Sequence, residues 1–226
     1  MSRHVELESA RLRDRLERGD PYWPAQLAVA AAIGLNFVLA ERLTVGPTWL
    51  MPSIEGALLI ALVIIAPARA TEHTRGIRRF ALSVIGLVSL ANVASLVLLV
   101  HYLINGGHTG GHRLIYSGAA LWATNVLLFA VWYFELDRGG PVARFLRPDI
   151  LPDFQFPQME NPQYAPAGWR PSFVDYLYLS LTNATAFSPT DTMPLTQTGK
   201  GVMALQSVAA LLTVGLVVAR AVNILG

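Results

Sequence analysis

Five hydroxyl side chains, Thr182, Thr185, Ser188, Thr190 and Thr192, lie within eleven residues and bracket one carboxylate, Asp191. Hydroxyl and carboxylate oxygens are ligands for hard cations, and a ring of them partly replaces an ion's hydration shell. Four further polar groups stand inside otherwise apolar runs: Glu55, Asn36, Asn92 and Asn125. Polar groups at membrane depth are costly and default to functional hypotheses. Glu55 is expected to form a structural pair with an arginine at a helix end or with a hydrogen-bond donor, the alternatives being a coupling-ion site or a wet interface. The three asparagines, on three different segments, read as interhelical hydrogen-bond glue or as a polar permeation path. His101, His108 and His112 surround a glycine-rich turn. Their spacing is compatible with zinc, but four glycines intervene and no carboxylate is near, so interfacial loop histidines are expected instead. No nucleophile–base pair, phosphate loop or HExxH motif occurs, so neither an enzyme nor a cofactor is expected.

The elements that must position these groups are written in the composition. The chain has 226 residues, 53% hydrophobic and only 14% charged, with a mean hydropathy of +0.44. A soluble domain carries about 25% charged residues, so this chain reads as a multi-pass integral membrane protein. There are no cysteines, which excludes disulfides and thiol chemistry. The net charge of +2 is built almost wholly from arginines between the apolar segments, a topological signal with no nucleic acid implied.

Residues 1–21 form a charged, helix-compatible N-terminal segment, solvated or interfacial, with a partner-binding arm as the alternative. Residues 22–104 hold three apolar segments, from about Trp23 to Ala40, Thr48 to Ala66 and Phe80 to Ile104. Residues 112–226 carry the rest: an apolar helix over 114–134, a loop over 137–171, a helix over 173–184, a polar loop over 185–197 and a last apolar helix over 201–225. Half of the 14 prolines fall in 137–171, which forbids a helix through most of it and predicts an extended, aqueous loop. Ser172-Phe173-Val174-Asp175 is a capping-box-like helix start. The helix it opens is about 18 Å long at 1.5 Å per residue, short of the ~30 Å hydrocarbon core. The acids Glu135 and Asp137 near Arg138 are expected as solvated helix-end charges.

A half-helix, a hydroxyl-rich loop and a long final helix form a pattern that resembles the pore module of the pore-loop tetrameric cation channel superfamily. Potassium channels of that superfamily read T-T-V-G-Y-G-D, then x-x-P-x-T-x-x-G-R. This chain reads Thr185-Ala186-Phe187-Ser188-Pro189-Thr190-Asp191, then Thr192-Met193-Pro194-Leu195-Thr196-Gln197-Thr198-Gly199-Lys200. Thr185, Asp191, Pro194, Thr196 and Gly199 match without a gap. Ser180 and Ala184 stand where small pore-helix residues are common. The chain is also similar to a family of uncharacterised bacterial integral membrane proteins, through the D-x-x-Y-x-S-x-T run from Asp175 to Thr182.

The resemblance implies an all-α integral membrane protein with five transmembrane helices and a re-entrant pore half-helix before the last span. It also implies a homotetramer in the bacterial inner membrane, in contact with membrane lipids, with monovalent cations as the permeant species. The ion pathway would be Thr182, Thr185, Ala186, Phe187, Ser188, Pro189, Thr190, Asp191 and Thr192, with Asp191 repeated fourfold as an acidic ring. The potassium filter needs left-handed residues, which its two glycines supply. Here those places hold Ser188 and Thr190, and Pro189 between them pushes Ser188 toward extended space. A carbonyl ladder is therefore not expected, and any conduction should be weakly selective. The alternatives are a half-helix that only packs, and a non-conducting scaffold that binds a lipid or a partner.

Arginines before the first span, between the second and third, and after the fourth share one side of a five-span plan. That side is expected to be cytoplasmic, which brings the re-entrant segment in from the cytosol. The alternative is a full crossing by 172–189, giving six spans.

Overall fold

Periodic apolar runs punctuated by proline and glycine set the helices. The computed structural model describes residues 21–39, 47, 49–65, 75–104, 111–147, 149–185 and 190–225. The N-terminal segment and Ala186–Pro189 lie outside the described residues. Among the described residues the architecture is all-α apart from one two-residue strand pair. Helix α1 spans Trp23–Asn36, α2 Leu50–Ile65, α3 Arg75–Ile104 and α4 Gly111–Leu136. After a 3-10 turn at Asp137–Gly139 come the short α5, Pro141–Leu146, strand β1, Phe154–Gln155, and the one-turn α6, Pro157–Glu160. Helix α7, Phe173–Thr185, strand β2, Met193–Pro194, and α8, Gln197–Leu225, complete the order. The expected boundaries hold to within a few residues. The exceptions are α3, which begins a full turn before Phe80, and α8, which begins a turn before Gly201.

Among the described residues, three segments are long and apolar enough to cross a membrane: Arg78–Leu103, Arg113–Gly139 and Gln197–Arg220. Helix α2 is a shorter apolar helix over Leu50–Ala61. Helix α4 is the hub, packing against α1, α3, α7 and α8. Its 18-residue apolar window is 61% buried, against 39% for α3 and 22% for α8. Small residues permit the closest approaches. Helix α1 lays Ala25, Ala28, Val29, Ala32 and Ile33, at helical spacing, into the core. Gly118 of α4 admits α8, since a Cβ there would lie 2.1 Å from Val217 Cγ2.

The proline-rich segment departs from expectation in its first half. Proline does break it into short pieces, and 160–170 is mostly exposed, as an aqueous loop should be, but Phe154 and Phe156 are buried, at 0% and 3% exposure. Phe156 packs edge-on against Tyr176 and Trp169, and Phe154 against Tyr133. The pair β1–β2 runs antiparallel, with Phe154 opposite Pro194 and Gln155 opposite Met193. Aromatic burial thus outweighs the polar and proline content that suggested water.

The expected solvated acids are buried as well. Asp137 is 0% exposed and Glu135 5%. Arg138 (φ 54°), Gly139 (φ 80°) and Gly140 (φ 97°) reverse the chain at the end of α4 and fold α5 back, a bend that glycine permits at little steric cost. Asp137 is enclosed by that bend. Its Oδ2 accepts from the Tyr176 hydroxyl at 2.6 Å and its Oδ1 from the Asp153 N–H at 2.8 Å. Arg144 Nη1 lies 3.8 Å from Oδ2 and donates to the carbonyls of Phe134 and Asp137. The guanidinium sits 4.9 Å over the Phe134 ring and 5.1 Å over that of Tyr176. Asp153 continues the chain of contacts. Its Oδ2 accepts from the Arg138 N–H, its Oδ1 from the Thr196 hydroxyl at 2.6 Å, and its carbonyl from the Leu195 N–H. Glu135, for its part, faces Arg78 Nε at 3.9 Å, while its carbonyl accepts from Arg78 Nη2.

These contacts predict a graded response in thermal unfolding of the purified protein. Tyr176→Phe removes one donor from a buried carboxylate and should cost about 1.5–3 kcal/mol. Asp137→Ala strands the buried Arg144 and should cost more, about 3–5 kcal/mol. Unchanged melting in both would show that the cluster contributes nothing to stability.

Candidate functional site

Helix α7 is an amphipathic helix whose buried side carries Phe173, Tyr176, Leu179 and Ser180. Its start is the expected cap in part: the Ser172 N–H donates to Asp175 Oδ2 at 2.7 Å, and the Ser172 hydroxyl donates to the same oxygen. At 13 residues it is about 20 Å long. Phe173 and Tyr176 pack edge-on against Phe134 of α4.

Halfway along, α7 is joined to α4 and α8 by a polar network. Ser180 Oγ donates to the Val126 carbonyl at 2.6 Å and accepts from Gln206 Nε2 at 2.7 Å. Gln206 Nε2 also donates to the Ser180 carbonyl. Gln206 Oε1 accepts from the Tyr133 hydroxyl and, at 2.9 Å, from Asn183 Nδ2. Asn183 Nδ2 also lies within bonding distance of the Tyr133 oxygen and the Met203 carbonyl, and Asn183 Oδ1 accepts from Ser207 Oγ. Tyr133, Ser180 and Gln206 are all 0% exposed. Every polar atom of the Gln206 side chain is therefore used, the condition under which a buried polar network rigidifies a packing arrangement.

Sequence reasoning missed most of this network. The rule that singles out Asn36, Asn92 and Asn125, an amide inside an apolar run, applies equally to Gln206. Asn183 lies between two of the predicted pathway threonines, where the hydroxyl series draws attention away from it. Tyr133 reads from sequence as an interfacial aromatic, yet it lies at the core of the three-helix contact.

The predicted pathway residues sit at the far end of α7 and beyond. Thr182 is half-buried and Thr185 exposed; each hydroxyl donates to the carbonyl four residues earlier, Tyr178 and Leu181, at 2.9 Å. A hydroxyl that donates inward leaves its lone pairs facing outward. Thr190 Oγ1 donates to the Thr192 carbonyl at 2.7 Å, Thr192 is buried and Asp191 is exposed. Ala186, Phe187, Ser188 and Pro189 fall outside the described residues. Past them, Thr196 caps α8 by accepting the Gly199 N–H at 3.1 Å, while its own hydrogen goes to Asp153. Gly199 is required by that contact, since a Cβ would lie 3.2 Å from the Asp153 carbonyl oxygen.

The four polar groups within the apolar segments do not join this site. Asn36 Nδ2 donates to Glu55 Oε2 at 2.9 Å between α1 and α2. Glu55 is 0% exposed, and its Oε1 has no hydrogen-bond partner among the described residues. Among the described residues its partner is thus an amide and not an arginine. Asn92 and Asn125 belong to the α3–α4 contact, where Asn92 Nδ2 reaches the Leu121 carbonyl only at 3.5 Å. His108 lies outside the described residues.

No family model, curated protein or solved structure matches this chain.

The network predicts a specific hierarchy. Gln206→Leu removes both donors and both acceptor contacts at once and should destabilise the purified protein by more than Tyr133→Phe. In a double-mutant cycle the pair should couple by about 0.5–3 kcal/mol. Additive effects in thermal unfolding would mean that Tyr133 and Gln206 do not act through one another.

Proposed function

We propose that the chain is one quarter of a homotetrameric, pore-loop cation-channel-like protein of a bacterial plasma membrane. In this reading α3, α4, α8 and the longer apolar segments 23–40 and 48–66 that contain α1 and α2 span the bilayer, and α7 is a re-entrant half-helix whose carboxyl end points toward a central axis. Four copies of the segment 185–192 line the mouth, with lipids around the periphery.

The observation that carries the reading is the seat of α7. A helix of 13 residues is too short to cross a ~30 Å core, yet it is fixed between two long apolar helices by aromatic packing and the Gln206 network. It is placed rather than frayed. At its end the Thr182 and Thr185 hydroxyls have spent their hydrogens on the helix, leaving oxygens outward. The negative end of the helix dipole favours a cation at the same place. Exposed Asp191 adds a formal charge, and four such carboxylates around an axis are a common cation-selecting device.

The second support is α8. Val208, Leu211, Leu212, Val218 and Val222 are each about half exposed or more, and at 100° per residue they fall within one arc of about 120°. An apolar helix covered on one side only suits a position where neighbouring copies supply the remaining contacts. The reading of a non-conducting scaffold is favoured by one observation, the bonding of the Thr182 and Thr185 hydroxyls to the backbone of their own helix.

Ion flux from liposomes reconstituted with purified protein separates the two. Cation flux with little discrimination between potassium and sodium is expected, and Asp191→Asn should lower the preference for cations over anions. A reversal potential strongly favouring potassium would contradict the filter argument. No flux from any form would favour the scaffold.

A further inference from the structure

Between α3, α4 and α8 runs a cleft of about 520 Å³ whose walls include Gly86, Leu96, Asn125, Leu136, Thr198 and Ala209. Its polar groups are largely spent on the protein itself. Trp132, also in the wall, donates its indole N–H to Ser89 Oγ at 2.9 Å, and Ser89 donates in turn to the Ile85 carbonyl. Asn125 Oδ1 has no hydrogen-bond partner among the described residues but is covered from the cleft. The surface offered to an occupant is therefore apolar. The rim residues Leu90 and Leu205 are 65% and 62% exposed, so the cleft opens sideways, toward the bilayer.

Its length is informative. On α3 the cleft runs from Gly86 to Leu96, on α4 from Leu136 to Asn125 and on α8 from Thr198 to Ala209. Each stretch rises about 15–16 Å at 1.5 Å per residue. Half of the ~30 Å hydrocarbon core is the same distance. One end lies at the α4 carboxyl end and the α8 amino end, where the chain leaves the bilayer. The other lies near the middle of α4 and of the Gln197–Arg220 span of α8, and on α3 it reaches past the middle of the Arg78–Leu103 span. On α4 and α8 the cleft therefore spans one leaflet.

A cation marks the shallow end. Arg79 is exposed and stands seven residues before Gly86 on α3. Seven residues is two turns, so Arg79 lies on the same face as Gly86, about 10 Å further out. With the midplane at the middle of the Arg78–Leu103 span, Arg79 lies about 17 Å from it, within the headgroup layer. Apolar walls one leaflet deep, an opening toward lipid and an arginine at headgroup height together specify an occupant with one long hydrocarbon tail and an anionic head.

We infer that the α3–α4–α8 cleft seats one acyl chain of an anionic phospholipid, with Arg79 facing its phosphate. The site is independent of whether the chain conducts, because its walls are within one copy and none belongs to the 185–192 segment.

Quenching of Trp132 fluorescence by phospholipids brominated on the acyl chain tests the site. The full chain is reconstituted with Trp132 as its sole tryptophan. If that variant fails to fold, the native chain is used with Trp132→Phe as the blank. Brominated phosphatidylglycerol should quench about fivefold more effectively than brominated phosphatidylcholine at equal mole fraction. Arg79→Gln should abolish that preference while leaving quenching by both lipids. A Cβ at Gly86 meets nothing within 4 Å, so Gly86→Phe can fill the cleft without displacing its walls. It should suppress quenching by either lipid at unchanged melting temperature. Equal quenching by the two lipids in the native sequence, or quenching that survives Gly86→Phe, would overturn the proposal. So would absence of quenching by any brominated lipid, the result expected if a neighbouring copy covers the cleft.

Discussion

The carboxylate of Asp137 is the contact on which the arrangement of the second half of the chain depends. A buried carboxylate is tolerated only if its lone pairs are met. Here the donors come from parts of the chain distant in sequence: Tyr176 on α7, the Asp153 backbone in the proline-rich segment and, at longer range, Arg144 on α5. Asp153 passes the constraint on through Arg138 and through Thr196 at the start of α8. Two acids therefore fix the end of α4, the amino end of α7 and the amino end of α8 relative to one another. The desolvation they require makes the arrangement specific as well as held, because a displaced α7 would take the Tyr176 hydroxyl away from a buried carboxylate.

A second fixed point lies further along the same helices, at Gln206. Two separated contacts, one at the amino end of α7 and one around Ser180 and Asn183, define the helix axis against α4 and α8. The carboxyl end of α7 then needs few contacts of its own to be aimed. Thr185 is exposed and Asp191 is exposed, so the groups proposed to meet an ion stand at the edge of a rigid assembly without being spent in holding it together. Such a division, with satisfied polar groups behind and available oxygens in front, is what preorganisation for an ion demands.

Much of the fold was legible because hydropathy and helix punctuation are local. Pro24 at the start of α1 and the Ser172–Asp175 cap each mark an end that the structure keeps to within a few residues. The burial of Asp137 and Glu135 was not legible, since acids flanked by arginine at a helix end look solvated until the Gly139–Gly140 reversal folds α5 over them. The proline-rich segment misled for a related reason. Proline count reports the absence of helix, whereas the burial of Phe154 and Phe156 depends on aromatic partners on α4 and α7. Among the site residues, the hydroxyl series was visible by spacing, but the pairing of Glu55 with Asn36 and the Tyr133–Gln206–Asn183 set are long-range matches that no local pattern contains.

The central claim is geometric: four copies bring the carboxyl ends of α7 to one axis. A single-particle reconstruction of the full chain in lipid nanodiscs tests it most directly. The account predicts fourfold symmetry with α8 nearest the axis, and with Thr185 and Asp191 of all four copies facing a shared central opening. A monomer, a dimer, or any assembly in which these residues face lipid or a single protomer's interior would contradict it.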